Sequence, residues 1–310
     1  MRKRTNTNNK SKTSPKPKKI DIMATYKVHE SIPLLEFLYK RVNDSKNNIK
    51  TYLKNKQFLV NGIPISQFDH PLVDGDTVTF SRHRFKNEDK KAKETKLDII
   101  YEDDDLLVIN KPSGMLSIES DEEKINTMYN LATYYVSKKD KNKRLYLVHR
   151  IDRDTSGIII FAKDEKLMNY LTKSWGNLVK KREYIAICEG KFDEKKGTIK
   201  SYLHQNQNNI MYSNNIKEKG QLSITHYKVL KENDNYSMLD VLIDTGRKNQ
   251  IRVHMTDLGH PVAGDNKYKS ETNPINRLCL HAYKLEFINP LNQKLYKFEA
   301  KIPKEFNQII

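Results

Sequence analysis

The chain has 310 residues, with 56 Lys or Arg against 39 Asp or Glu and a formal charge of +17. That length holds one large or two unequal domains, and so positive a chain points to phosphate polyanions as partners, since each neutralised phosphate releases condensed counterions; lysines that merely aid solubility are the plainer alternative. No apolar run nears the roughly 20 residues of a membrane span, none marks a secretory signal, and Cys188 and Cys279 lie in separate apolar runs without metal-ligand spacing, so buried thiols and a cytoplasmic location are expected.

Residues 1–20 carry eight Lys or Arg and no acid. Such a stretch cannot bury enough surface to order itself, and residues 1–25 are read as a disordered basic arm. Residues 26–84 read as a small α+β module. Leu34, Leu35, Leu38 and Val42 recur at helical spacing, and Ile49, Tyr52 and Leu53 do so behind a Ser45 cap. Phe58-Leu59-Val60, the pair Asn61-Gly62 and Ile63-Pro64-Ile65 predict a hairpin, and Asp74-Gly75-Asp76 turns into a strand over 77–80. Two helices, then L-V-N-G, then D-G-D resemble an S4-like RNA-binding domain, which implies that Lys46, Lys50 and Lys54 face RNA. Residues 85–96, rich in Lys, Glu, Asp and Asn without apolar periodicity, form a linker.

The second domain runs over 97–310. It opens with strands at 99–101 and 106–110, flanking an acidic turn and followed by Lys111-Pro112-Ser113-Gly114; Ile125, Met128, Leu131, Ala132 and Tyr135 then mark an amphipathic helix. Apolar runs at 145–148 and 158–162 predict two buried strands. Between them His149-Arg150-Ile151-Asp152-Arg153-Asp154-Thr155-Ser156-Gly157 crowds charge into a tight turn closed by Gly157. On charge alone this is a hairpin turn with solvated side chains. A short helix around Leu167 and Leu171, strands at 185–188, 197–203, 223–230 and 237–244, a helix from the segment 245–254 stopped by Gly259, and a last strand at 294–301 complete the reading. Many strands without regular βα alternation predict an α+β fold on a mixed, largely antiparallel sheet with a central cleft.

The central string resembles the active-site loop of the RluA-type RNA pseudouridine synthases, H-R-L-D-x-x-T-S-G, with Ile151 for Leu. Other segments resemble the same family: E-D-x-x-L-L-V-x-N-K-P-x-G at 102–114, Lys181-Arg182-Glu183-Tyr184 for its K-x-Y motif, R-x-x-Q-I-R-x-H at 247–254 and G-H-P-V-A-G-D-N-K-Y at 259–268. At two places the chain departs from the usual pattern: Ser117-Ile118-Glu119 where a histidine often follows, and Asn249 where histidine is common. The resemblance implies conversion of uridine in RNA to pseudouridine, the base being detached, rotated and rejoined through carbon 5, with no cofactor. It places the catalytic carboxylate on Asp152 rather than Asp154. It makes Arg252 the partner that orients that carboxylate by a charge-assisted bond, and gives Tyr184 to stacking on the uracil and proton transfer. Arg150 is assigned to the space vacated when the base leaves its stack. Ribosomal RNA is the favoured substrate, transfer RNA the other one; no membrane and no obligate protein partner are expected. A non-catalytic RNA-binding or ribosome-assembly protein on the same scaffold is the alternative, and an unrelated RNA hydrolase lacks any supporting acid–histidine spacing.

Overall fold

The computed structural model describes residues 21–84, 97–120, 123, 126–140 and 143–310. Most of the expected arm, the expected linker at 85–96 and Ile125 lie outside them. The described residues form two compact units, 21–84 and the remainder from 97 onward.

The first unit is built on a four-stranded antiparallel sheet, with Ile22–Lys27, Thr77–Ser81, Phe58–Val60 and Ile63–Ile65 in spatial order, and a separate pair of strands, Ile32–Pro33 and Pro71–Leu72. Its elements are β1 (Ile22–Lys27), β2 (Ile32–Pro33), α1 (Leu34–Arg41), α2 (Lys46–Lys54), β3 (Phe58–Val60), β4 (Ile63–Ile65), β5 (Pro71–Leu72) and β6 (Thr77–Ser81). Residues 22–25 correct the extent assigned to the arm. They are in β1, paired with β6, because Ile22, Ala24 and Tyr26 alternate inward while Met23, Thr25 and Lys27 face out. Helix α1 buries Leu34, Phe37 and Leu38, and α2 buries Ile49 and Leu53 after Ser45 Oγ accepts from Asn48 N at 3.1 Å. Opposite that apolar stripe Lys46, Lys50 and Lys54 recur every fourth residue and are exposed. Asn61 at φ 49° and Gly62 at φ 76° supply the two left-handed residues of the β3–β4 turn.

The second unit is built on an 11-stranded sheet. In chain order its elements are β7 (Ile99–Glu102), β8 (Leu106–Lys111), α3 (Met128–Lys139), β9 (Tyr146–Leu147), β10 (Ser156–Ala162), α4 (Glu165–Lys173), α5 (Trp175–Leu178), β11 (Val179–Glu189), β12 (Lys196–Gln205), β13 (Met211–Asn214), β14 (Gln221–Glu232), β15 (Tyr236–Ile243), α6 (Gln250–Asp257), β16 (Leu280–Ile288), β17 (Leu295–Glu299) and α7 (Phe306–Ile309). The path is β13-β12-β14-β15-β11-β16-β10-β8-β7, with β17 on β16 and β9 on β10. Strands β8 and β10 are buried on both faces. Leu107, Ile109, Ile159 and Phe161 meet α3, and Leu106, Val108, Ile158 and Ile160 meet Leu167 and Leu171 of α4. Such two-sided burial explains their unbroken apolar runs. In the other half Ile185, Ile187, Leu239 and Val241 pack with Met255 of α6 and Phe306 of α7, around the free, buried Cys188 and Cys279.

Among the described residues every strand pair is antiparallel except β10 with β16, whose ladder consists of Ser156↔His281 and Gly157↔Ala282. From Lys284 onward β17 takes that edge of β16. The two halves of the sheet therefore meet at a short parallel seam, and Gly157 lies in it. This corrects the tight turn predicted for the central string. Of the first apolar run, Tyr146 and Leu147 lie opposite Ala162 and Phe161, and the Val148 amide donates to the Ile160 carbonyl at 3.1 Å; the chain from His149 to Thr155 is an open loop. Gly157 stands in a strand at φ +116°, where a Cβ would lie 2.2 Å from the Ala282 carbonyl oxygen. The glycine serves close backbone approach, not reversal. Strand β13 has no counterpart among the predicted elements, because Met-Tyr-Ser-Asn carries no apolar alternation. Among the described residues no helix is long and apolar enough to cross a membrane.

Gly157→Ala should therefore lower the stability of the second unit by about 3 kcal/mol through strain and overpacking together. Urea denaturation measures it, and a midpoint equal to that of the parent protein rules out a constraint at the seam.

Candidate active site

The loop after β9 is pinned from below by the segment that follows β8. Lys111 is fully buried, and its Nζ donates to the carbonyls of Pro112 (2.9 Å), Met115 (2.7 Å) and Arg153 (2.9 Å). Burial pushes its ammonium down to about 7, against the pull of Asp154 and Asp152. Ser113 Oγ donates to the Asp154 carbonyl, and Ser117 Oγ donates to the Ile151 carbonyl at 2.8 Å while accepting from the Ile151 amide at 3.3 Å. The backbone on both sides of Asp152 is thus held by Lys111, Ser113 and Ser117. In the sequence Ser117 stands out only as a departure from the usual pattern, with nothing to connect it to this loop. His149, earlier in the same loop, stacks on Trp175 with ring centroids 5.1 Å apart, and burial, with Arg182 nearby, lowers its pKa to about 3, so the ring is neutral.

The third motif supplies α6, and each of its polar residues is anchored. Gln250 Nε2 donates to the Ile224 carbonyl and Thr225 Oγ1, both at 2.9 Å. His254, with no exposed surface, sits between Ser201 Oγ (2.9 Å) and Thr225 Oγ1 (2.8 Å), and burial lowers its pKa to about 4. Between them Arg252 is directed at two carboxylates. Its Nε and Nη2 reach Asp265 Oδ2 and Oδ1 at 2.6 and 2.7 Å, and its Nη1 reaches Asp152 Oδ2 at 3.4 Å. Burial opposes the Arg252 charge, yet Asp265 and then Asp152 raise its pKa on balance. The closest side-chain contact to Asp152 comes instead from Asn249, whose Nδ2 donates to Oδ2 at 2.6 Å. Asp265 and Asn249 lie within the motifs, yet the motifs assign them no role; a buried acid in Gly-Asp has no local signal that it faces an arginine on another element.

Asp152, Tyr184, Arg252 and Arg150 line one cleft of about 320 Å³, with Trp175 and Ile243 in its walls. Arg150 is exposed at this cleft, and Tyr184 is half-buried on β11. Burial raises the Tyr184 phenol to about 12, Arg182 opposing and Asp152 adding, so the ring stays protonated at neutral pH. A second cleft of about 730 Å³ shares Asp152, Asn249 and Arg252 and is lined by Arg153, Lys248 and Lys267. Among the described residues neither Lys248 nor Lys267 has a carboxylate partner; Lys267 Nζ donates to the Asn209 carbonyl at 3.4 Å and lies 5.7 Å from the centroid of the Tyr268 ring. Burial, then Lys248 and Arg252, lower the Lys267 pKa. Lys46, Lys50 and Lys54 belong to the first unit and do not line either cleft.

Residues 105–257 match the family model described as RNA pseudouridylate synthase. A Bacillus subtilis protein named uncharacterized RNA pseudouridine synthase YhcT is 32% identical over 279 residues, covering 89% of this chain and 91% of its own. The ribosomal large subunit pseudouridine synthase D of Blochmanniella floridana is 30% identical over 306 residues, covering 91% and 95%. Among solved structures, human RNA pseudouridylate synthase domain containing 4 is similar in fold, with a TM-score of 0.55 at 21% identity over 67% of this chain and 90% of that one.

Asp265→Asn keeps the shape of the carboxylate and removes its charge, leaving Arg252 buried without its principal counter-ion. The expected cost is about 3 to 5 kcal/mol of unfolding free energy, read from urea denaturation. A loss below about 1 kcal/mol would mean that the pair behaves as a solvent-screened one.

Proposed function

The chain belongs to the RluA-type family of RNA pseudouridine synthases, and from that premise we propose that Asp152 is its catalytic carboxylate and that its substrate is a uridine of ribosomal RNA. One observation carries the assignment to Asp152: its carboxylate opens into the Tyr184 cleft while Arg252 and Asn249 hold it by one oxygen. The reaction is an isomerisation. The bond from the ribose carbon to N1 breaks, the uracil turns, and a bond to carbon 5 forms, so the hydrogen of carbon 5 leaves and one arrives at N1. What the protein must supply is a placed anion at the sugar, a surface for the loose base and exclusion of water. Asp152 is the anion, whether it attacks the nucleotide or takes a proton from it. The Tyr184 ring stacks on the base, and its phenol, neutral at working pH, is available to give or pass a proton. Arg150, exposed at the same cleft, takes the space in the RNA that the flipped base leaves.

Ribosomal RNA is supported by a relative whose name gives it a large-subunit ribosomal role. The first unit, with two helices and a four-stranded sheet, supports the S4-like reading, in which Lys46, Lys50 and Lys54 contact RNA phosphates. Lys248 and Lys267 support a second phosphate contact beside Asp152. They lie at one cleft without carboxylate partners, and their mutual repulsion is relieved by a polyanion.

Release of tritium from RNA labelled at uridine carbon 5 tests the chemistry, using RNA from cells in which this protein has been inactivated. Asp152→Asn should lower release at least about 1,000-fold, the scale for loss of a reacting group, while RNA affinity is kept. Appreciable residual release removes Asp152 from the chemistry. Replacing Lys248 and Lys267 together by Gln should flatten the plot of log affinity against log salt by about 0.7 to 0.9 for each phosphate that is no longer neutralised. An unchanged slope, measured by filter binding, assigns the phosphates to other cations.

A further inference from the structure

The two contacts to Asp152 fall on the same oxygen. Oδ2 accepts from Asn249 Nδ2 at 2.6 Å and from Arg252 Nη1 at 3.4 Å, whereas Oδ1 has no hydrogen bond or ion pair among the described residues. The side chain keeps 30% of its surface exposed. One oxygen is therefore tethered and the other is open to the cleft.

The stronger tether has a direction built into it. The Met211 amide donates to the Tyr268 hydroxyl at 3.2 Å, and an amide N–H can only donate. The hydroxyl hydrogen is consequently free for Asn249 Oδ1, 3.1 Å away. With its oxygen engaged there, Asn249 turns its NH₂ toward Asp152. The opposite orientation would set the amide oxygen 2.6 Å from a carboxylate oxygen and leave two acceptors face to face. Backbone amide, phenol, carboxamide and carboxylate thus form a chain in which every donor points the same way, and such chains polarise one another. Asn249 and Tyr268 are buried, at 8% and 6% exposure. Tyr268 also lies under the guanidinium of Arg252, 5.0 Å from ring centroid to Cζ, so one ring backs both groups that hold Oδ2.

Asn249 is the residue that precedes α6, where an asparagine side chain ordinarily accepts from the first free amides of the helix. Here it makes no such capping bond. Its backbone sits at φ 56°, ψ 20°, a left-handed conformation that asparagine adopts more readily than other non-glycine residues. The side chain is diverted from helix capping to Asp152, which a purely local role in α6 does not explain.

We propose that Asn249 is a positioning residue for the catalytic carboxylate: with Tyr268 behind it, its amide pins Asp152 Oδ2 and leaves Oδ1 as the oxygen that acts on the uridine. The assignment rests on the reading of Asp152 as the reacting group. It takes effect in the chemical step, since the Asn249 N–H that meets Asp152 and the Tyr268 hydroxyl hydrogen are both spent within the protein.

Single-turnover and steady-state tritium release on carbon-5-labelled RNA, with the full chain, distinguish this from a structural role. Asn249→Ala should lower kcat about 10- to 100-fold, as expected for losing a hydrogen bond to a charged group, with KM within about threefold. Asn249→His, which returns a ring N–H donor at the same place, should recover most of the loss. Tyr268→Phe, which removes one oxygen, should lower kcat about 5- to 10-fold. Combined with Asn249→Ala it should cost nothing further, because the hydroxyl acts through the amide. An unchanged kcat in Tyr268→Phe, or losses that multiply in the double variant, overturns the proposal. If Asn249→Ala melts below the assay temperature, Tyr268→Phe with and without Asn249→His carries the same comparison. Failure of the underlying reading shows separately, as Asp152→Asn turning over like the parent protein; that result overturns this proposal as well.

Discussion

The arrangement around Asp152 depends on the buried pair of Arg252 and Asp265. Both side chains are taken out of water, at 8% and 0% exposure, and a guanidinium in that position is tolerated only because the carboxylate meets its fork with two short bonds. The planar fork then has one direction left. Nη1 faces Asp152, so the direction of this tether on the partly exposed carboxylate follows from the buried one. A lysine could balance the charge but could not transmit the geometry. The pair depends in turn on α6 being fixed along its length, which Gln250 and His254 do from either side of Arg252 by bonding to β14 and β12.

The second constraint is mechanical. The loop carrying Asp152 leaves the sheet at β9 and re-enters at β10, at the seam where the two halves meet through two residue pairs. Such a junction leaves room for a cleft, and also leaves the loop with few ladder bonds of its own. Lys111, Ser113 and Ser117 compensate by holding its carbonyls and one amide directly. A lysine without exposed surface whose ammonium is bound by three carbonyls acts here as a bracket for the main chain. The loop is thereby mounted on rigid parts while Arg150 and Asp152 face the cleft.

Much of this is readable from local pattern. The helices at Leu34 and Ile49, the Asn61-Gly62 hairpin, the two-sided apolar runs of β8 and β10, and the helix stopped at Gly259 follow from periodicity and turn chemistry acting over a few residues. Asp152, Tyr184, Arg150 and Arg252 can be named because their strings are distinctive, and they do line one cleft. Two local readings fail for a common reason. A glycine after Thr-Ser ordinarily reverses the chain, but the demand on Gly157 comes from Ala282, far along the sequence. Residues 22–25 read as part of the arm because lysine-rich surroundings mask an alternation that only pairing with β6 makes meaningful.

Composition and periodicity are enough for a basic α+β protein and for most elements of both units, because these rest on interactions between near neighbours in the chain. The cleft residues are legible through motifs that resemble a family. Arg252 is named as the partner of the carboxylate by the same resemblance; that Asn249 holds it too, with Asp265 and Tyr268 behind, was decided only by tertiary structure. Asn249 and Arg252 are close in sequence to each other but not to Asp152, Asp265 or Tyr268, and nothing local says that an asparagine before a helix will abandon capping for a carboxylate. Hydrogen bonding is short-ranged and directional, whereas the hydrophobic periodicity that reveals helices and strands is neither specific to a partner nor sensitive to the last ångström. The polarity of the chain from Met211 through Tyr268 and Asn249 to Asp152 exists only once four separate segments are brought together.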